Sequence, residues 1–196
     1  MSYKSQYADE KALISALITG DNNAFRQFVN DYQLSIRRIC IGMLRSEADA
    51  DDVAQEVFIE AFRSIAKFNE KAELSTWLYR IAVNKSLNYL RQKKSMKRDS
   101  VISISDEYKH SLQLSGSDSS EEAVTAGDHK KAIDSALIRL QDKQRTAFVL
   151  SKYEDLSYRE IADLMKSSVG SVESLIFRAK KNLQRYLEKY YKENFS

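Results

Sequence analysis

The sequence predicts an all-α protein: two small helical domains joined by a flexible acidic linker, the second domain containing a helix-turn-helix. Three observations predict it. The 196 residues include no proline and only five glycines, too few to serve the turns of a β-rich chain. Apolar residues recur at the three- and four-residue spacing of a helix with one buried face. Charge comes in blocks: net −1 over residues 1–21, +5 over 22–98, −5 over 99–127 and +4 over 128–196. Two basic blocks parted by an acidic one fit two domains that meet a polyanion. Ordinary variation of surface charge also produces blocks of this size.

The elements follow in order. Residues 1–21 form a polar N-terminal segment. In residues 22–98, Ala24, Phe25, Phe28, Val29 and Tyr32 recur at helical spacing, followed by Ile36, Ile39, Cys40 and Met43. A second helix begins near Asp49, with Asp49, Asp51 and Asp52 in its first turn, where the helix dipole favours anions. Its apolar stripe is Val53, Val57, Phe58, Ala61, Phe62 and Ile65. KFNEKAEL breaks the pattern and reads as a loop. A third helix runs from about Ser75, with Leu78, Ile81, Ala82, Leu87 and Leu90 on its inner face. Residues 99–127 are rich in serine and acid and weakly periodic, the composition of a linker. Periodicity returns at Asp128, with Ile133, Ala136, Leu137 and Leu140, then Ala147, Phe148 and Leu150.

The segment LSYREIADLMKSSVGSVESLIFRAKKNLQRYL is the most specific part of the second domain. Ser157 and Glu160 form a capping box that starts a helix. Ile161, Ala162 and Met165 supply its inner face, and the small Ala162 lets another helix cross closely. KSSVG suits a tight turn, with Ser168 as the N-cap of a second helix. That helix has Val172, Leu175 or Ile176, Ala179 and Leu183 inside and Ser171, Glu173, Ser174, Arg178 and Lys181 outside. Two helices, a tight turn and a polar, partly basic second helix describe a helix-turn-helix, whose second helix lies in the DNA major groove. A plain helical hairpin is the alternative. Arg178 and Lys181 suit guanine or phosphate, and Glu173 suits a cytosine amino group or simply solvent.

From Asn84 to Arg98 the chain carries six basic residues and no acid. Such a helix suits a phosphate backbone. Asn84, Asn88 and Tyr89 add donors, acceptors and a stacking surface, a mixture suited to unpaired bases. The alternative is a solubilising helix end, since cations favour helix C-termini. Trp77 and Tyr79 fit core packing better than base stacking.

Several classes are excluded or disfavoured. No apolar run approaches the roughly 20 residues that cross a bilayer, and MSYKSQYADE has no apolar secretory segment behind it. A cytoplasmic protein without direct membrane insertion is expected. The single Cys40 cannot form an internal disulfide, and with two histidines it is too little for an evident zinc site, so no cofactor or metal is expected. No carboxylate pair, Ser/His/Asp set or glycine-rich phosphate loop points to an enzyme.

Three blocks, DADDVAQEVFIEAFRSIAKF, TWLYRIAVNKSLNYLRQKK and LSYREIADLMKSSVGSVESLIFRAKKNL, resemble successive regions of the extracytoplasmic-function sigma factors of the sigma-70 family, in the family's order and spacing. The resemblance covers about residues 21–98 and 130–187. It implies an RNA polymerase specificity subunit, with residues 22–98 as region 2 and 128–196 as region 4. It implies binding of bacterial core RNA polymerase through Asp49, Asp51, Asp52, Gln55, Glu56 and Phe58. It implies recognition and opening of the promoter −10 element by the loop Phe68–Leu74 and by Trp77, Arg80, Asn84, Asn88, Arg91, Lys93 and Lys94, with Asn84 in a pocket for a flipped base. It implies −35 readout by Ser171, Glu173, Ser174, Phe177, Arg178 and Lys181. Family members often work under an anti-sigma factor. Departures lie in the turn, where Lys166 and Ser167 stand in place of glycine and an aliphatic residue, and at Glu173 and Leu175, where basic residues are frequent; a different −35 preference follows. Two rivals stand beside this reading. A duplex-binding repressor or activator explains residues 157–187 and leaves TWLYRIAVN unexplained. A module that sequesters polymerase leaves the basic run Lys93–Arg98 unexplained.

Overall fold

A computed structural model describes residue 7 and residues 9–68, 73–103, 126–154 and 156–195. Eight helices appear among them: α1 (Glu10–Ile18), α2 (Asn22–Leu44), α3 (Glu47–Ser64), α4 (Leu74–Ser103), α5 (Ala126–Ile138), α6 (Asp142–Tyr153), α7 (Tyr158–Met165) and α8 (Val169–Phe195). A short 3-10 turn, Ile65–Lys67, follows α3. Most of the expected linker, residues 104–125, lies outside the described residues, as does most of the KFNEKAEL loop.

Short polar side chains set the helix starts, because the first turn leaves backbone N–H groups without partners. Asp9 accepts from Ala12 N at 2.8 Å, and Asp21 from Asn23 N at 2.7 Å. Ser46 accepts from Asp49 N at 3.4 Å, and Asp49 itself stands in the first turn of α3. Helix α2 stops where Arg45 turns left-handed, at φ 56.

Helices α2, α3 and α4 enclose a core of Phe28, Ile36, Ile39, Met43, Val53, Val57, Leu74 and Leu78, all buried. Cys40 is buried there, and burial pushes its thiol up to about 11. Three expectations change. Residues 1–21 contain a helix, α1, that buries Leu13, Ile14 and Leu17; the polar start of the segment masks this short stripe. Phe62 is 50% exposed, because it lies at the edge of the stripe with its ring against Phe25, centroids 5.0 Å apart. Ile133 is 42% exposed, whereas Ala136, Leu137 and Leu140 are buried. Helix α4 runs to Ser103.

Helices α5 to α8 form the second half. Leu137, Leu140 and Ala179 make a small cluster of their own. Ala147, Val149, Leu150, Ile161, Leu164, Val172 and Ile176 belong instead to one continuous core shared with the first half. The sequence pattern finds the inward residues of each helix, but nothing in it says that α6 faces α2.

Candidate nucleic-acid interface

The first surface is the acidic face of α3. Asp52, Gln55 and Glu56 are exposed. Asp51 accepts from Arg37 Nε at 2.6 Å, and Asp49 from Lys93 Nζ at 2.6 Å. Lys85 lies 3.6 Å from Glu56 and from Glu60. The hydrogen bond from Lys93 holds the Asp49 carboxyl below the usual carboxylate range. Phe58 is different. It is 9% exposed and sits edge-on to Phe28, centroids 5.9 Å apart. It occupies the apolar stripe and helps to hold α3 in place.

The second surface is on α4. Arg80, Asn84, Asn88 and Arg91 fall at positions i, i+4, i+8 and i+11, one line along the helix. Asn84 and Asn88 are exposed, and Arg91 Nη1 donates to Asn88 Oδ1 at 3.5 Å. Lys94 continues the line with positive charge, whereas Lys93 lies on the α3 side of the helix, where it meets Asp49. Lys93 also lies over the Tyr89 ring, 5.6 Å from its centroid. The Tyr89 phenol is raised, chiefly by its hydrogen bond to Asp49. At the start of α4, Trp77 is half-buried, with Phe68 packed on it at 5.2 Å between centroids. Tyr79 is buried. Glu10 of α1 accepts from Leu74 N at 3.4 Å and so caps the helix. Sequence reasoning misses Glu10 because no pattern links positions 10 and 74.

Arg80 is the member of this line that does not face outward. Its Nη2 donates to Asp163 O at 2.9 Å and its Nε to Leu164 O at 3.3 Å, in the last turn of α7.

The third surface is α7–turn–α8. The capping box is complete: Ser157 Oγ accepts from Glu160 N at 3.3 Å, and Glu160 Oε2 accepts from Ser157 N at 2.7 Å. The bonds from Ser157 hold the Glu160 carboxyl low. Helix α7 ends at Lys166, left-handed at φ 51, whose N–H returns to the α7 carbonyls of Ala162 and Asp163. A side chain thus occupies a conformation that glycine adopts most readily. Ser168 Oγ accepts from Ser171 N at 3.2 Å and caps α8. Val172, Ile176 and Ala179 turn inward. Ser171, Glu173, Ser174, Phe177, Arg178 and Lys181 are all exposed, Phe177 by 66%. Groups of three or more residues suited to hold a metal ion are absent among the described residues. No helix among them is long and apolar enough to cross a membrane.

The model of sigma-70 region 2 matches residues 28–96, and that of sigma-70 region 4 matches residues 130–183. The chain is 32% identical to the RNA polymerase sigma-H factor of Pseudomonas aeruginosa, over 94% of this chain and 96% of that one. It is 32% identical to the ECF RNA polymerase sigma factor SigW of Bacillus subtilis, over 90% and 96%. It is 30% identical to the ECF RNA polymerase sigma-E factor of Escherichia coli K12, over 94% and 97%. Among solved structures, CnrH in complex with the cytosolic domain of CnrY aligns with a TM-score of 0.66 at 23% identity, over 92% of this chain and 97% of that one. That likeness concerns the fold.

Proposed function

The chain belongs to the extracytoplasmic-function sigma factors of the sigma-70 family, and from that premise we propose how its three surfaces divide the work. It is a sigma factor: it binds core RNA polymerase, recognises the −10 and −35 promoter elements and initiates DNA-templated transcription. It acts by binding, and the polymerase makes the phosphodiester bonds.

In our reading, residues 22–98 are the unit that binds core and the −10 element, and residues 128–196 are the −35 unit. The exposed polar residues of α3, with Asp52, Gln55 and Glu56 foremost, dock on the polymerase. The α4 line captures the −10 strand. Extruding a base costs a few kcal/mol, and Asn84 and Asn88 offset this with hydrogen bonds to its edge. Arg91, Lys93 and Lys94 hold phosphates, so affinity falls as salt rises. Helix α8 enters the major groove at −35. Phe177 offers an apolar contact to a thymine methyl, Arg178 a bidentate contact to guanine, and Glu173 an acceptor for a cytosine amino group. The protein works in the cytoplasm, where the polymerase is, and an anti-sigma factor that covers these surfaces is the expected kind of regulator.

The observation that carries this assignment is the exposed line Asn84–Asn88–Arg91 on α4, together with the exposed outer face of α8. The test is transcription with sigma-free core on fragmented genomic DNA, mapping RNA 5′ ends with and without the protein. New starts sharing two spaced upstream motifs are expected. No new starts, with tight binding to duplex by the protein alone, would support a repressor or activator instead.

A further inference from the structure

The outer face of α8 does not end where its reading residues end. The helix is 27 residues long. Ser174, Arg178, Lys181, Arg185 and Lys192 fall at i, i+4, i+7, i+11 and i+18, within one outward sector, and all are exposed. Val172, Ile176 and Ala179 are buried on the opposite side, and Leu183 packs there too. The outward cations thus run past the region 4 match, which ends at residue 183. The acid on this side, Glu188, accepts from Gln184 Nε2 at 2.8 Å.

Arg185 is seated by its neighbours. Tyr186 packs on the small cluster of Leu137, Leu140 and Ala179. Two guanidinium groups stand over its ring: Arg185 at 5.2 Å from the centroid, and Arg139, just after α5, at 5.8 Å. Arg185 Nη2 also donates to Tyr186 Oη at 3.5 Å. Both arginines are exposed. Among the described residues no carboxylate pairs with Arg139, Lys181 or Arg185, whereas Arg37, Arg38, Arg45 and Lys93 each hold one. A planar guanidinium held against a ring has less freedom to lose when it binds an anion. The helix dipole does not account for these cations. It acts within the last turn, and Arg185 stands about three turns before Phe195.

At about 1.5 Å per residue, the stretch from Ser171 to Arg178 rises about 10 Å, which fits the roughly 12 Å width of the major groove. Arg185 lies about 21 Å along from Ser171, beyond that width, where a recognition helix leaving the groove passes the backbone. A cation there meets phosphate and not base edges. We propose that Arg185 and Arg139, seated around Tyr186, form a phosphate clamp on the duplex backbone bordering the −35 element. The clamp carries no sequence information; it fixes the register and orientation of α8 on the duplex. The proposal rests on the −35 reading given above and adds to it a contact whose strength depends on salt and not on sequence.

The test uses holoenzyme assembled from core and the full chain, as wild type, Arg185→Gln, Arg139→Gln and Arg185→Lys. Binding to a promoter duplex is titrated across salt concentrations, and circular dichroism checks that each variant folds. Each glutamine variant should bind about three- to tenfold more weakly and lower the slope of log affinity against log salt by about 0.9, the loss of one phosphate contact. Arg185→Lys should keep the slope, because the charge remains. Selection from duplexes randomised at −35 should return the wild-type base preference for every variant. A neutral methylphosphonate, placed at each bordering phosphate in turn, should weaken wild type at one position and leave Arg185→Gln unaffected there. An unchanged slope, an altered base preference, or no bordering phosphate that separates wild type from variant would overturn the clamp. Weaker core binding at an unchanged slope would overturn it too, and would mark a polymerase contact instead. A duplex of random sequence keeps the two readings apart. If wild type starts no transcripts the sigma function fails, whereas the slope difference on random duplex, where core contributes equally to both proteins, still reports on the clamp.

Discussion

The two helices proposed to read DNA, α4 and α8, are presented very differently. On α8 the side chains at the reading positions all stand in solvent, on a helix fixed by Val172, Ile176 and Ala179 beneath them. On α4 two of the reading cations already have partners within the molecule: Arg80 on the carbonyls of α7 and Lys93 on Asp49. The difference matches the two targets. A duplex displays its base edges at all times, so its reader can be finished in advance. An unpaired strand exists only once the promoter opens, so its reader can be held in reserve until then. The same internal bonds that occupy α4 also tie it to the acidic α3 face and to the other half of the chain.

The largest effect is expected at Asp134, which ties α5 to α2 through Arg45. Asp134→Ala leaves the Arg45 guanidinium largely buried with only Tyr153 as partner, and breaking a buried pair in this way costs about 3–5 kcal/mol. Part of that cost is avoided if the halves separate and Arg45 reaches water. Urea unfolding should therefore show a lower midpoint, together with a broader transition as the halves uncouple. A midpoint equal to that of wild type would mean that Arg45 and Asp134 do not hold the halves together.

Gly42→Ala acts on the same interface without charge. Alanine favours the helix by about 1 kcal/mol. Its Cβ, however, meets the stiff, branched Val149, and overpacking of this kind costs about 1–3 kcal/mol. A net loss is expected. Gly42→Ala with Val149→Ala should recover the interface, since the added methyl fills part of the space vacated, and thermal melts of the single and double variants read the difference.

The helix faces were legible from the sequence because burial follows a simple period. Ser157 and Glu160, Val172 and Ile176, and Val53 and Val57 all follow from spacing alone. The exposed reading residues of α8 are the complement of that period. What the sequence could not supply depends on long-range pairing. Arg45 and Asp134 are ordinary surface residues by type, and nothing local joins them. The bonds from Arg80 go to backbone carbonyls, which every residue carries, so no residue type announces them.

Two substitutions sharpen the contrast between the readers. Asn84→Ala should reduce open-complex formation about tenfold, near 1.4 kcal/mol, while affinity for core and for closed duplex stays unchanged. Permanganate footprinting of unpaired thymines, beside a core-binding assay, separates the two. Arg178→Ala should do the opposite: it should weaken binding at −35 and cost about 1–3 kcal/mol of discrimination at the base it reads, with opening per bound complex unaffected. Loss of core binding in the Asn84 variant, or unaltered −35 preference in the Arg178 variant, would remove the role assigned to that residue.

The smallest effect is electrostatic and concerns Asp49. Its carboxyl is held low chiefly by the hydrogen bond from Lys93, so its folded pKa lies below its unfolded one. The pair therefore contributes stability above the ordinary carboxylate range, near pH 4, and loses it as pH falls through the lowered folded value. With Lys93 half exposed, the contribution is under about 1 kcal/mol at neutral pH and smaller in high salt. Asp49→Asn should thus be slightly less stable than wild type at pH 7, and the two should converge in acid as the wild-type carboxyl takes up its proton. The freed Lys93 should also bind single-stranded DNA more tightly, with a steeper salt dependence. If the gap between the two proteins stayed constant from pH 7 down to pH 2, the Lys93 bond would not be what Asp49 contributes, and α4 would lose one of the two tethers that set it apart from α8.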